Sequence, residues 1–170
     1  VEVAVERLGS IAFPVSCAPT VRTGFNRGVA LLHDFWYDEA RSQFEKILKT
    51  DPSCAIAHWG VAMSVFHQIW DRPDDATSAL AWKELKAAQL HLAKSARERR
   101  YIAALSDFFR PSGSDYQSRI ENYSEAMAKL ARDYPDDIDA GAFYALSVLA
   151  ATAPNDTSLK HAHSAMSVLN

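Results

Sequence analysis

Cys17, Cys54, His33, His58 and His67 are the side chains of this chain whose types and spacing could do chemistry. Two cysteines offer three outcomes: a disulfide, two buried free thiols, or a pair of soft metal ligands. Cys54 and His58 stand one helical turn apart, with Met63 close behind, and all three are donors that a metal or haem iron accepts. His33 and His67 lie 34 residues apart, each followed three residues on by a tryptophan (Trp36 and Trp70). On neighbouring helices packed about 8–10 Å apart, two inward-leaning imidazoles would approach one ion. Against that reading, a structural zinc site needs four placed ligands, and a bridged Cys54 is no longer one of them. The plainer reading involves no cofactor: each imidazole donates to a backbone carbonyl at a helix end. No zincin helix, nucleophile elbow or phosphate loop occurs, and no Ser or Cys has an arguable His and carboxylate partner. The chain is therefore expected not to be an enzyme. The acidic groups Asp71, Asp74, Asp75 and Asp133, Asp136, Asp137, Asp139 lack the glycine-centred loop of a calcium site. They are expected to cap helices, where a carboxylate complements the dipole. Arg97, Arg99 and Arg100 read as a solvated basic face.

The elements that must position these groups repeat. Phe25, Gly28, Leu32, His33 and Trp36 become Trp59, Ala62, Phe66, His67 and Trp70 on moving 34 residues along. A period of this length belongs to stacked helical hairpins. Apolar spacing predicts helices over 21–34, 37–50, 52–69, 76–93, 95–110, 115–133 and 136–152, and from about 157. Their expected caps are Thr20, Asp51 ahead of Pro52, and the boxes Ser95 to Glu98 and Ser114 to Gln117. Gly28 implies a close pass by a neighbouring helix. Residues 1–19 form an irregular arm with Pro14 and Pro19 around Cys17, and the repeat domain covers 20–170. Adjacent repeats set helix starts side by side, so Cys17 reaches Cys54 if the arm bends back.

The bulk numbers bound the rest. A chain of 170 residues that is 48% hydrophobic can bury one core. A net charge of −3 gives no basic footprint for nucleic acid. No apolar run reaches the roughly 18 residues of a membrane span. The last residues stay inside an apolar helical pattern, which leads us to expect either a longer chain or a subunit covering that face.

At Gly28, Ala40, Phe44, Ile47 and Pro52 the sequence resembles the tetratricopeptide repeat family, and Tyr123, Met127, Leu130 and Pro135 recover the same spacing. The stretches 25–33, 51–63, 98–105 and 134–137 are similar to a branch of exported bacterial members. The resemblance covers about 9–170, with departures at Gly24, Arg27 and the insert 71–75. It implies an all-α fold, a right-handed α-solenoid of about four antiparallel helix pairs, in a periplasmic or secreted protein. In that family the first helix of each pair lines a concave groove that grips peptides. The matching positions are Arg22, Phe25, Val29 and His33, then Ile56, Trp59, Met63 and His67. Phe25 and Val29 stand where the best-known clamp has Lys and Asn, so acidic C-termini are not the expected ligand. A protein or peptide partner of apolar character is, or further copies of this chain, with a metal or haem carrier as the remaining alternative.

Overall fold

The computed structural model describes residues 8–153 and 155–169. The first seven residues of the arm, Pro154 in the last turn, and the chain end at Asn170 lie outside the described residues. Among the described residues there is no strand. A single 3-10 turn, Pro19–Val21, leads into eight helices: α1 Arg22–His33, α2 Tyr37–Thr50, α3 Ala55–Met63, α4 Asp75–Leu90, α5 Ala96–Phe109, α6 Tyr116–Asp133, α7 Ile138–Ala150 and α8 Lys160–Val168. Each packs on the next along the chain, and α3 also touches α1 and α5.

The ring of Phe44 on α2 explains how the first three helices meet. A Cβ on Gly28 would lie 2.7 Å from that ring, and one on Gly60 would lie 2.4 Å from it. Two glycines on α1 and α3 thus let a fully buried aromatic sit between three backbones. The close approach expected at Gly28 is present. Its structural counterpart is Gly60, not Ala62, which the repeat spacing had suggested.

Caps set most helix starts. Asp74 accepts from Thr77 N at 2.7 Å, Ser95 accepts from Glu98 N, and Asp137 accepts from Ala140 N at 3.1 Å. Helix α6 is capped by Asp115, one residue beyond the expected Ser114, with Ser118 N donating at 2.8 Å. Thr20 caps nothing. Asp51 ends α2 and does not open α3; its carboxylate accepts from Ser53 N and from Ala18 N of the arm. The Ala18 amide first, then the Ser53 hydroxyl and amide, hold its pKa below the ordinary carboxylate value.

Helix α3 also stops six residues earlier than its apolar pattern suggests. The Ser64 hydroxyl bonds back to Gly60 O at 2.8 Å, a contact that competes with helix continuation. Beyond it, Phe66 turns into a cluster with Phe108, Phe109 and Tyr123, at ring separations of 4.4, 5.5 and 5.3 Å. Burying that ring outweighs another turn of exposed helix.

The arm folds back across α1, α3 and α5. Phe13 is buried with its ring 5.3 Å from Phe25, 5.9 Å from Trp59 and 5.2 Å from Tyr101. Its amide donates to Asn26 Oδ1, and the Ser16 amide and hydroxyl both donate to the Glu98 carboxylate. Cys17 and Cys54 are joined by a disulfide with their Cα atoms 5.0 Å apart. The bridge closes a loop of 37 residues and is compatible with an oxidising compartment. Replacing both cysteines by Ala should cost about 2–4 kcal/mol of unfolding free energy, chiefly by freeing the unfolded chain. Urea unfolding with and without reductant measures this. A change under about 0.5 kcal/mol would mean that the hydrogen bonds and Phe13 hold the arm without the bridge.

Candidate functional site

The residues that the resemblance assigns to a groove fall into two groups. Arg22 is exposed, while Phe25, Val29, Ile56, Trp59 and Met63 are buried. Trp59 lies beneath Phe13 and meets Tyr101 and Phe143 edge-on at 5.3 and 5.8 Å. The Tyr123 hydroxyl donates to Met63 Sδ at 3.8 Å. What would line an open groove is here interior surface, and part of its covering is the chain's own arm.

His33 and His67 remain partly exposed at one end of this interior. Each meets a carboxylate instead of the backbone carbonyl expected from sequence. His33 Nε2 donates to Asp139 at 2.9 Å, and its ring stacks on Phe143 at 4.6 Å, tying α1 to α7. His67 Nδ1 donates to Asp71 at 3.3 Å, and its ring stacks on Tyr37 at 4.3 Å. His58 donates to Glu84 at 2.7 Å and stacks on His91. Among the described residues, one group has three metal-type ligand atoms together, namely Cys17, Asp51 and Cys54. Both sulfurs there are bonded to each other, so neither is a thiolate ligand.

Arg97 departs from expectation. It is buried, not on a solvated face. Its Nε donates to Asp137, its Nη1 to Pro14 O at 3.1 Å, and its guanidinium lies 4.1 Å from the Phe13 ring centre. Tyr101 also donates to Asp137, at 3.0 Å. Burial works against the Arg97 charge, yet the Asp137 bond and the surrounding negative groups raise its pKa on balance. This network fastens arm, α5 and α7 together. Of its neighbours in the basic run, Arg100 pairs with Asp133 on the surface.

One surface open to a ligand is the edge where α1 and α3 end. Phe35, Trp36 and Tyr37 are consecutive, and Trp36 and Trp70 are 51% and 63% exposed. Phe35 has φ 60°, a left-handed conformation that bulky residues rarely take. Its ring meets Trp70 edge-on at 5.7 Å and Tyr37 at 6.1 Å. Burial pushes the Tyr37 pKa up to about 12, against the opposing influence of the neighbouring Trp70 indole. On one side of Phe35 an apolar cleft of about 370 Å³ runs between α1, α7 and α8, walled by Leu32, Phe143, Leu146, Leu149 and Leu169, with His33 on its wall. On the other side a shallower cleft of about 390 Å³ lies over the start of α2.

Sequence reasoning named Trp36 and Trp70 but missed Phe35, although the run of three aromatics was the available signal. Phe35 and Trp36 lie in a three-residue connection and Tyr37 opens α2, and three consecutive rings there cannot all turn inward. Comparison with protein-family models, with curated proteins and with solved structures finds no match to this chain.

Proposed function

We propose that the chain is a non-catalytic scaffold of the tetratricopeptide type, a right-handed α-solenoid that holds an apolar protein or peptide segment in the cleft between α1, α7 and α8. The observation that carries this is the apolar cleft beside His33, bordered by the exposed side chains of Phe35, Leu149 and Leu169. Its volume and almost wholly apolar wall suit one or two inserted side chains, with the imidazole as a single orienting polar group. The packing order along the chain, with α3 on both α1 and α5, is what stacked hairpins give. The disulfide favours a periplasmic or secreted setting. Among the described residues no helix is long and apolar enough to cross a membrane.

Peptide-display selection followed by calorimetry tests the proposal. Selected peptides should be apolar, and Leu149→Asp should weaken them at least about 10-fold, a loss of roughly 1.4 kcal/mol, with unchanged far-UV circular dichroism. A failure to select any binder, or binders indifferent to Leu149→Asp, would refute it. A second copy of this chain is the competing occupant, since Leu159 and Leu169 flanking α8 are exposed as well. Concentration-dependent mass in light scattering, abolished by Leu149→Asp, would favour that reading. The histidine geometry does not favour the metal or haem alternative, because among the described residues the one group of three metal-type ligand atoms contains no histidine.

A further inference from the structure

The shallower cleft differs in character from its apolar neighbour. It is lined by Phe35, Trp36, Tyr37, Asp38, Glu39 and His67. Three aromatic residues and two carboxylates line the same space, Tyr37 with one face covered by His67, and no Lys or Arg is among the lining residues. Among the described residues, neither Asp38 nor Glu39 is bonded or ion-paired. The one basic group, His67, already faces the Asp71 carboxylate. Asp38 and Glu39 also sit in the first turn of α2, where the dipole welcomes them. That role accounts for their sign, but it does not account for the exposed rings beside them.

We propose that this cleft binds a small quaternary ammonium compound. Aromatic faces attract cations through the ring quadrupole, and alkylated ammonium groups are the ligands such walls recognise best. The charge complement is direct: a cation over Trp36 and Phe35 would have Asp38 and Glu39 at the rim. Methylation matters because alkyl groups spread the charge over a larger, weakly hydrated surface that packs on ring faces, while the carboxylates at the rim supply the opposite charge. The proposal is independent of the scaffold reading, since a free cation can bind whether or not the apolar cleft takes a protein.

The test is titration of the intact protein with choline and with tetramethylammonium chloride at constant ionic strength. Binding is read from the indole N–H resonances of Trp36 and Trp70. Saturable shifts at Trp36 are expected, with a millimolar dissociation constant. The neutral isostere 3,3-dimethylbutan-1-ol should bind at least about 5-fold more weakly, because it lacks the charge. The Asp38→Asn/Glu39→Gln double variant should weaken choline about 3-fold or more, and Trp36→Leu by about 5-fold or more. Both change exposed side chains, and circular dichroism confirms their folding; should the double variant not fold, Trp36→Leu and the isostere decide. Equal binding of choline and the isostere would overturn the proposal, as would no shift at Trp36 or choline binding unaffected by Trp36→Leu.

Discussion

Trp59→Ala should lower the unfolding free energy by about 3–5 kcal/mol, the range for deleting a large aromatic from a packed core. Trp59 is 1% exposed and touches rings from the arm, α5 and α7 at once. Its removal leaves Phe13, Tyr101 and Phe143 lining a void that none can fill alone. Rigid helix backbones on either side limit relaxation, which places the expectation in the upper part of that range. Chemical denaturation with far-UV detection measures it. A loss below about 1 kcal/mol would mean that the surrounding rings collapse into the space. An open binding groove predicts another pattern, with partner binding lost and helicity kept. The two accounts of Trp59 are thereby separable in one variant.

Arg97→Ala should be comparably damaging, about 3–5 kcal/mol, because it strands a buried charge. Asp137 has only 6% of its side chain exposed and relies on Arg97, Tyr101 and the amide of Ala140. Without the guanidinium, a buried carboxylate keeps two neutral donors and no counter-charge. The Arg97→Met variant keeps the stem that covers Phe13 and separates lost packing from lost charge. Adding Asp137→Asn to Arg97→Ala should recover part of the loss, since it removes the unpaired charge. Strict additivity in that double-mutant cycle would show that the two side chains do not act as a pair.

The helical class was legible because amphipathic spacing and Pro–Gly punctuation agreed along most of the chain, although of the four caps expected at Thr20, Asp51, Ser95 and Ser114 only Ser95 acts as one. Every expected helix is present, and α2 matches its predicted bounds. What failed were decisions that local sequence does not control. Helix α3 ends at Met63 because Phe66 finds three rings from α5 and α6, partners more than forty residues away. Asp51 looked like the cap of a helix beginning at Pro52, but the returning arm claimed part of its carboxylate. Arg97 looked solvated because its partners, Pro14 and Asp137, come from opposite ends of the chain. The candidate site was legible in half. Aromatic content and the tryptophans of the α1–α3 edge were visible, as were the two cysteines that proved to be joined. That Trp59 faces inward while Trp36 and Trp70 face outward was not, since a repeat pattern says which positions correspond and not what covers them.

The docked arm has a consequence for the order of events as the protein is made. Residues 8–18 leave the ribosome before α1–α8, yet the groups that receive them come much later: Arg97 and Glu98, and after them Asp137. Until those arrive, Phe13 has no complete pocket, so this segment is among the last to settle. Once the chain is in an oxidising compartment, the Cys17–Cys54 bridge needs only α1 and α2 between its ends, so it can hold the segment beside the helices it covers before that pocket is complete.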